Sequence, residues 1–442
     1  MKYKAIDKKL FIENRKKFVK HLHTDSVAFF NSNDEMPRSG DQNFPFRQQA
    51  DLFWLTGIDQ EQTILVLSPG HPLPEYREML FLRKTNEHIA VWEGHKYTKE
   101  EAREASGINH VYWVDDFKTM LPVLMHHSNH VYINLNENDR FVTEVPYREE
   151  RFASNLKSKY PNHIYERSGP LMAQLRTIKS NIEVDLMCEA IDITDKAFRR
   201  VLGFVKPGVM EYEIEAEIMH EFLRNRATGN AYYPIIASGA SACVLHYNDN
   251  NKECKDGDVI LMDFGAEYAN YAADLTRSIP VNGKFSKRQK EVYNAVLRVM
   301  KEATSMLVEG NTILKYHEAV GKIMEQELIG LGLLKAADVK KQDPKQPLYK
   351  KYFMHGTSHF LGLDVHDIGN RYQPMKNGMV FTCEPGIYIP EEKLGIRIEN
   401  NILLTSKGPK DLMKNIPIEV DEIEDLMSAG KSKTGKKVLV KN

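Results

Sequence analysis

Apolar and polar positions follow two different rhythms along this chain, and the change between them divides it. From about residue 25 to 165, short apolar runs have the length and residue types of buried strands: SVAFF from Ser26, QTILVLS from Gln62, EMLFLR from Glu78 and HVYINL from His130. Polar stretches of helical character, such as YTKEEAREAS at 97–106, fall between them. This alternation predicts a small α/β domain. The pattern breaks at Gly169-Pro170. It restarts where Ser180 and Glu183 form a capping box, followed by apolar positions at Ile182, Leu186, Ala190, Ile193, Ala197 and Val201. The boundary therefore falls within 168–178, with an N-terminal domain over 1–172 and a second domain over 173–428. A lysine-rich tail, 429–442, reads as a solvated, frayed segment.

In the second domain, helices are expected over about 181–203, 211–227, 286–308 and 312–331. Between and after them lie DVILMDFGAEYANYAADLTRSIPV, GMVFTCEPGIYI and GIRIENNILLT, which read as strands and hairpins. Helices around an antiparallel sheet make this part α+β. Bulk composition narrows the function classes. Among 442 residues the net charge is −1, so no global field recruits nucleic acid or anionic lipid. The four cysteines form no CxxC pair, as expected of reduced thiols. The basic N-terminus has no continuous apolar core, and Asp7 and Glu13 argue against a transit peptide. No apolar run approaches the roughly 18 residues of a spanning helix. The expectation is a cytoplasmic protein with neither membrane nor nucleic-acid partner.

The chemistry concentrates in the last third of the chain. Asp263 ends the fully apolar run Val259–Met262, where an ionised carboxylate is costly unless paired or metal-bound. Asp274 follows eleven residues later and would face Asp263 across a hairpin if GAEYANY forms the turn. The alternatives are that Asp263 caps a turn beginning at Gly265 and that Asp274 pairs with Arg277. HGTSHFLGLDVHD holds His355, His359 and His366; Gly356 replaces the glutamate of a zincin HExxH, and Gly-Thr-Ser disfavours a regular helix. Glu384 precedes Pro385 and is biased to extended geometry, on the face of Val380 and Thr382. Strand alternation puts Glu399 on one face with Arg397, which leaves a surface ion pair open as its role. His246 reads as a loop histidine. No phosphate-binding glycine loop or nucleophile elbow occurs, and neither Cys243 nor Cys383 has a base beside it. Four carboxylates and one imidazole would repel one another if they met, and two divalent cations would resolve that.

Five blocks in order carry a more specific likeness: VLHY at 244–247, LMDFGAEYANYAADLTRSIPVNGKFS at 261–286, MHGTSHFLGLDVHD at 354–367, TCEPGIYI at 382–389 and IRIEN at 396–400. They resemble the M24, or pita-bread, metallopeptidases of the aminopeptidase P (Xaa-Pro aminopeptidase) branch. PFRQQADLFWLTGI at 45–58 is similar to the N-terminal domain of that branch. The resemblance implies a pita-bread catalytic domain behind a smaller α/β domain. It makes Asp263, Asp274, His359, Glu384 and Glu399 ligands of two divalent ions, most often Mn2+. It places His246, His355 and His366 in the substrate pocket and Arg397 beside the last ligand. The implied reaction releases the first residue from peptides with proline second. A hydroxide bridging the two ions attacks, with Glu384 carrying the proton and the three histidines assisting. A homo-oligomer, dimer or tetramer, is implied as well. A dipeptidase of the prolidase type shares all five ligands, and a non-catalytic pita-bread binding module would be expected to lose some. Cys383 and Phe264 depart from the common pattern without replacing a ligand.

Overall fold

The computed structural model describes residues 2–138 and 140–434, in two compact units, one ending at Arg176 and the other beginning at Thr177. In the first unit the apolar runs become a six-stranded mixed sheet. Its order is His110–Trp113, Glu78–Leu82, Ile64–Leu67, Ser26–Asn31, His130–Ile133 and Ile164–Arg167. The central strand Ser26–Asn31 runs antiparallel to Ile64–Leu67 and parallel to His130–Ile133. All six of its residues are buried, because both sheet faces are covered. Val27, Phe29, Val66, Phe81, Val131 and Ile133 pack on one face with Phe117, Leu124, Ala153 and Leu156 from the crossover helices.

In the second unit Ser180 caps the helix Asn181–Phe204 through the reciprocal Glu183 box. That helix packs on Glu211–Arg224 and on Val420–Thr434. The helices Lys287–Ser305 and Ile313–Gly330 complete the α layer. One antiparallel sheet joins Ile235–Ser238, Val259–Phe264 and Leu275–Pro280; another joins Val380–Cys383, Asn400–Thr405 and Gly408–Asp411. The hairpin Gly386–Ile389/Leu394–Arg397 packs beside the first of these. The α+β expectation holds.

Three details differ from the sequence reading. Gly169-Pro170 opens a short helix, Gly169–Arg176, rather than a break, since proline is tolerated in a first helical turn where its missing N–H is not needed. GAEYANY is a hairpin in its own right: Tyr268 pairs with Tyr271 around Ala269-Asn270, both at positive φ (52° and 63°). Residues 429–434 continue the last helix, while 435–442, the rest of the lysine-rich tail, lie outside the described residues. Among the described residues no helix is long and apolar enough to cross a membrane, and all four cysteines are free thiols.

Candidate metal centre

Four neighbouring segments bring the acidic residues together. Asp263 lies in Val259–Phe264, paired antiparallel with Leu275–Pro280 so that Asp263 faces Thr276 and Asp274 lies diagonally across, just before the partner strand. Asp274 is then fixed from a third strand. Its N–H donates to Asn401 Oδ1 (3.2 Å) and its carbonyl accepts from Asn401 Nδ2 (2.7 Å). Glu399 N–H donates to Thr276 O (3.1 Å), and the Thr276 hydroxyl donates to Glu399 Oε2 (2.7 Å). The segment with the histidines is irregular and runs along Val380–Cys383: Thr382 N–H donates to His359 O, His359 N–H to Thr382 Oγ1, and Glu384 N–H to Thr357 O.

The result is one cluster. Donor atoms of Asp274, His359 and Glu399 lie within 4.8 Å of one another. His359 Nδ1 is 2.9 Å from the Phe360 carbonyl, so Nδ1 holds the proton of the neutral ring and Nε2 faces Asp274 (3.4 Å) and Glu384 (3.5 Å). That is the orientation a metal-ligating imidazole needs. The Tyr232 hydroxyl lies 2.6 Å from an oxygen of both Asp263 and Asp274. A phenol has one proton to donate, so without cations one of these acids must itself carry a proton for both contacts to attract.

Electrostatics agree with that geometry. Burial raises the pKa of Asp263 against the pull of Arg397, and pushes Glu384 up to about 7 against the pull of His359. Burial, with the charges of Asp274, Glu384 and Asp263, holds Glu399 well above the usual carboxylate range. Burial opposes a charged His359, but the Asp274 and Glu384 carboxylates outweigh it and raise its pKa. Protonation is how such a cluster relieves its repulsion in the absence of cations; divalent ions relieve it with the acids ionised. Among the described residues Glu399 Oε1 is buried with no hydrogen-bond partner, an open ligand position in a set of oxygen and nitrogen donors. The residues present fit a divalent-metal centre.

The remaining candidates surround this cluster unequally. Arg397 is buried and is bound to Asp263 Oδ2, Thr276 Oγ1 (3.1 Å) and the Tyr388 hydroxyl (3.0 Å). Glu399 is only 1% exposed, so the surface Arg397–Glu399 pair is not what the fold makes. Arg277 turns away from Asp274 to the carbonyls of Pro417 and Glu399 and to Asn400 Oδ1. His355 donates from Nδ1 to the Gly356 carbonyl (2.7 Å) and accepts at Nε2 from Tyr388 (2.8 Å). Burial, then the Arg397 charge, drive its pKa down to about 3, so the ring is neutral. Its Nδ1 is 4.0 Å from Glu384. His366 is exposed, with its ring edge-on to His359 at 4.5 Å. His246 is exposed and contributes to the low pKa of His355. Sequence reasoning missed Tyr232, Tyr388, Thr276 and Asn401. Tyr232, in NAYYP, has no periodicity or spacing to mark it, because its partners are 31 and 42 residues away.

Comparison with known proteins places this geometry. Residues 185–406 match metallopeptidase family M24, and residues 11–132 match the aminopeptidase P N-terminal domain. The Xaa-Pro aminopeptidase of Haemophilus influenzae is 35% identical over 96% of this chain and 98% of its own length. Human Xaa-Pro aminopeptidase 3 is 31% identical over 92% of this chain and 81% of its own. The structure of Escherichia coli aminopeptidase P with the inhibitor Pro-Leu superposes with a TM-score of 0.86 at 31% identity, covering 97% of this chain and 100% of that one. Fold and relatives together define a hydrolase of the metal-dependent peptidase class. The chain belongs to metallopeptidase family M24, whose members act with divalent metal ions.

Proposed function

We propose that this protein is a Xaa-Pro aminopeptidase whose two divalent ions are held by Asp263, Asp274, His359, Glu384 and Glu399. The observation that carries the assignment is the convergence of Asp274, His359 and Glu399 donor atoms within 4.8 Å, with Glu399 Oε1 left unpartnered. Such ions polarise a peptide carbonyl and bring the pKa of water toward neutrality. The protein residues then divide the remaining work. Glu384, facing His359 and His355, takes the proton of the attacking water and delivers it to the leaving nitrogen. Arg397 and Tyr232 hold Asp263 in place. His246 and His366, both exposed, bind the substrate carbonyl and stabilise charge developing on it, while neutral His355, its ring nitrogens engaged by Gly356 and Tyr388, fixes the pocket wall. A proline nitrogen has no amide N–H, so the pocket needs no acceptor there and is selected for ring shape.

Oxygen-dominated ligation with one imidazole favours Mn2+ over a structural zinc. We place the protein in the cytoplasm, as a dimer or tetramer, with 1–172 the aminopeptidase P-type domain and 173–428 the catalytic domain. The test is a peptide-length series on chelator-treated protein restored with Mn2+. Release of the first residue from Xaa-Pro-Xaa tripeptides, recovered on adding Mn2+, supports the assignment. Turnover confined to Xaa-Pro dipeptides would move the protein to the prolidases, and turnover undiminished by chelation would remove the metal from the reaction.

A further inference from the structure

A second set of metal-binding side chains meets in the first unit, on the six-stranded sheet. His130 and Glu166 lie on adjacent parallel strands in the register His130↔Ile164 and Tyr132↔Glu166. Strand periodicity therefore puts both side chains on one face, opposite Val131 and Ile133, which enter the core. His23 comes from the turn before the central strand, its carbonyl accepting from the Ser26 hydroxyl at 2.6 Å. One donor atom from each of His23, His130 and Glu166 lies within 4.8 Å of the other two. His130 Nδ1 is 3.0 Å from Glu166 Oε1, and the His23 ring stacks on His130 with centroids 4.0 Å apart at 21°. Solvent reaches all three. His23 is exposed, and the His130 and Glu166 side chains are 19% and 33% exposed.

Two imidazoles at stacking distance repel if both are protonated, and one carboxylate balances only one of them. A divalent cation accepts both rings in their neutral form and the carboxylate as an anion. Two nitrogens and one oxygen are the donor types of three-ligand zinc sites that keep a fourth position for water. Asp25, next to the turn, adds negative charge in reach of both rings while its Oδ2 accepts from Asn129 Nδ2 (2.7 Å). We propose that His23, His130 and Glu166 form a peripheral site for a zinc-type divalent cation. The cation fastens the turn before the central strand to the edge strand Ile164–Arg167. The His23 ring turns out of its stack to bring a lone pair onto the ion, which its exposed position permits. This site is separate from the candidate metal centre and does not depend on the function proposed for it.

The test uses the full-length chain carrying Asp274→Asn and His359→Ala, stripped with chelator and dialysed against micromolar ZnCl2, with bound zinc counted per chain. One zinc is expected, lost on adding His23→Ala or His130→Ala and held at least tenfold more weakly with Glu166→Gln. A zinc-edge anomalous map should place the ion between the three side chains. Equal zinc uptake with and without His23 and His130, or no uptake at all, overturns the proposal and leaves a simple His130–Glu166 ion pair. The His23→Ala variant changes only an exposed turn, so a folding failure of His130→Ala does not obscure the result. Failure of the catalytic reading reads out separately, as zinc uptake by the otherwise unchanged chain that Asp274→Asn and His359→Ala do not reduce.

Discussion

The most informative single group is the Tyr232 hydroxyl, shared at 2.6 Å between two carboxylates that would otherwise repel. It orients Asp263 and Asp274 from behind, the role that outer partners of metal ligands play; such partners typically change affinity or activity by about 10–100-fold. Tyr232→Phe should therefore lower kcat/KM on an Xaa-Pro peptide by about that range, with a matching rise in the Mn2+ concentration needed for half-maximal activity. Asp274→Asn or His359→Ala removes one of the proposed ligands outright and should lower kcat/KM by more than about 100-fold. The fold should survive, since asparagine matches aspartate in size and His359 lies on an irregular, partly exposed segment, and circular dichroism would confirm that. A variant that keeps most of its activity would exclude that residue from the centre. Asp263 and Glu384 could be picked out in the sequence because an apolar strand and a Glu-Pro step constrain them. The surface pair considered for Glu399 could only be excluded once the fold had buried that side chain and turned Arg397 to Asp263.

At the scale of elements, the site depends on a close approach between the Asp263 strand and the segment leading to Asp274. A Cβ on Gly265 would lie 1.8 Å from the Ala273 carbonyl oxygen, so only glycine permits that crossing. Gly265→Val should push the two segments apart and destabilise the protein by at least the ~1–3 kcal/mol typical of overpacking. Metal-dependent activity should fall with it, and denaturant unfolding alongside a kinetic assay would record both. The histidine-bearing loop is anchored from the other side by the Lys179–Asp367 ion pair (3.2 Å), with both side chains 1% exposed. Removing the lysine takes a buried counter-charge from Asp367, so Lys179→Met should destabilise the protein, by up to about 3–5 kcal/mol. The Lys179→Met/Asp367→Leu double variant should recover much of that, which a shift of the unfolding midpoint would measure. The helices and strands themselves were largely legible, since their periodicity and the Ser180–Glu183 box are local signals. The Gly169-Pro170 helix start was not, because the same two residues serve equally well to end one element or to open another.

For the molecule as a whole, two units invite separate measurement, and the first carries its own titrating group. Glu149 is buried beneath the sheet, accepting from the Asn31 N–H (2.7 Å) and Nδ2 (2.8 Å), and burial pushes its pKa up to about 8. Its ordinary value is 4.5, so between pH 4.5 and 8 the folded state binds more protons here than the unfolded state does. The contribution of Glu149 to stability is thus fully present below that window and lost as pH rises through it. The first unit's unfolding temperature should fall over the window, and Glu149→Gln should flatten the fall; a calorimetric series at several pH values would show whether it does. By itself the sequence determined most of the elements and the residue types able to bind metal, because helical and strand periods, caps and turn residues act over a few positions. The tertiary structure alone decided which acids meet, what Arg277 and Arg397 bind, and that Tyr232 joins Asp263 to Asp274. Those contacts join residues from 9 to 140 positions apart, and only the packing of the strands and helices brings them within reach of one another.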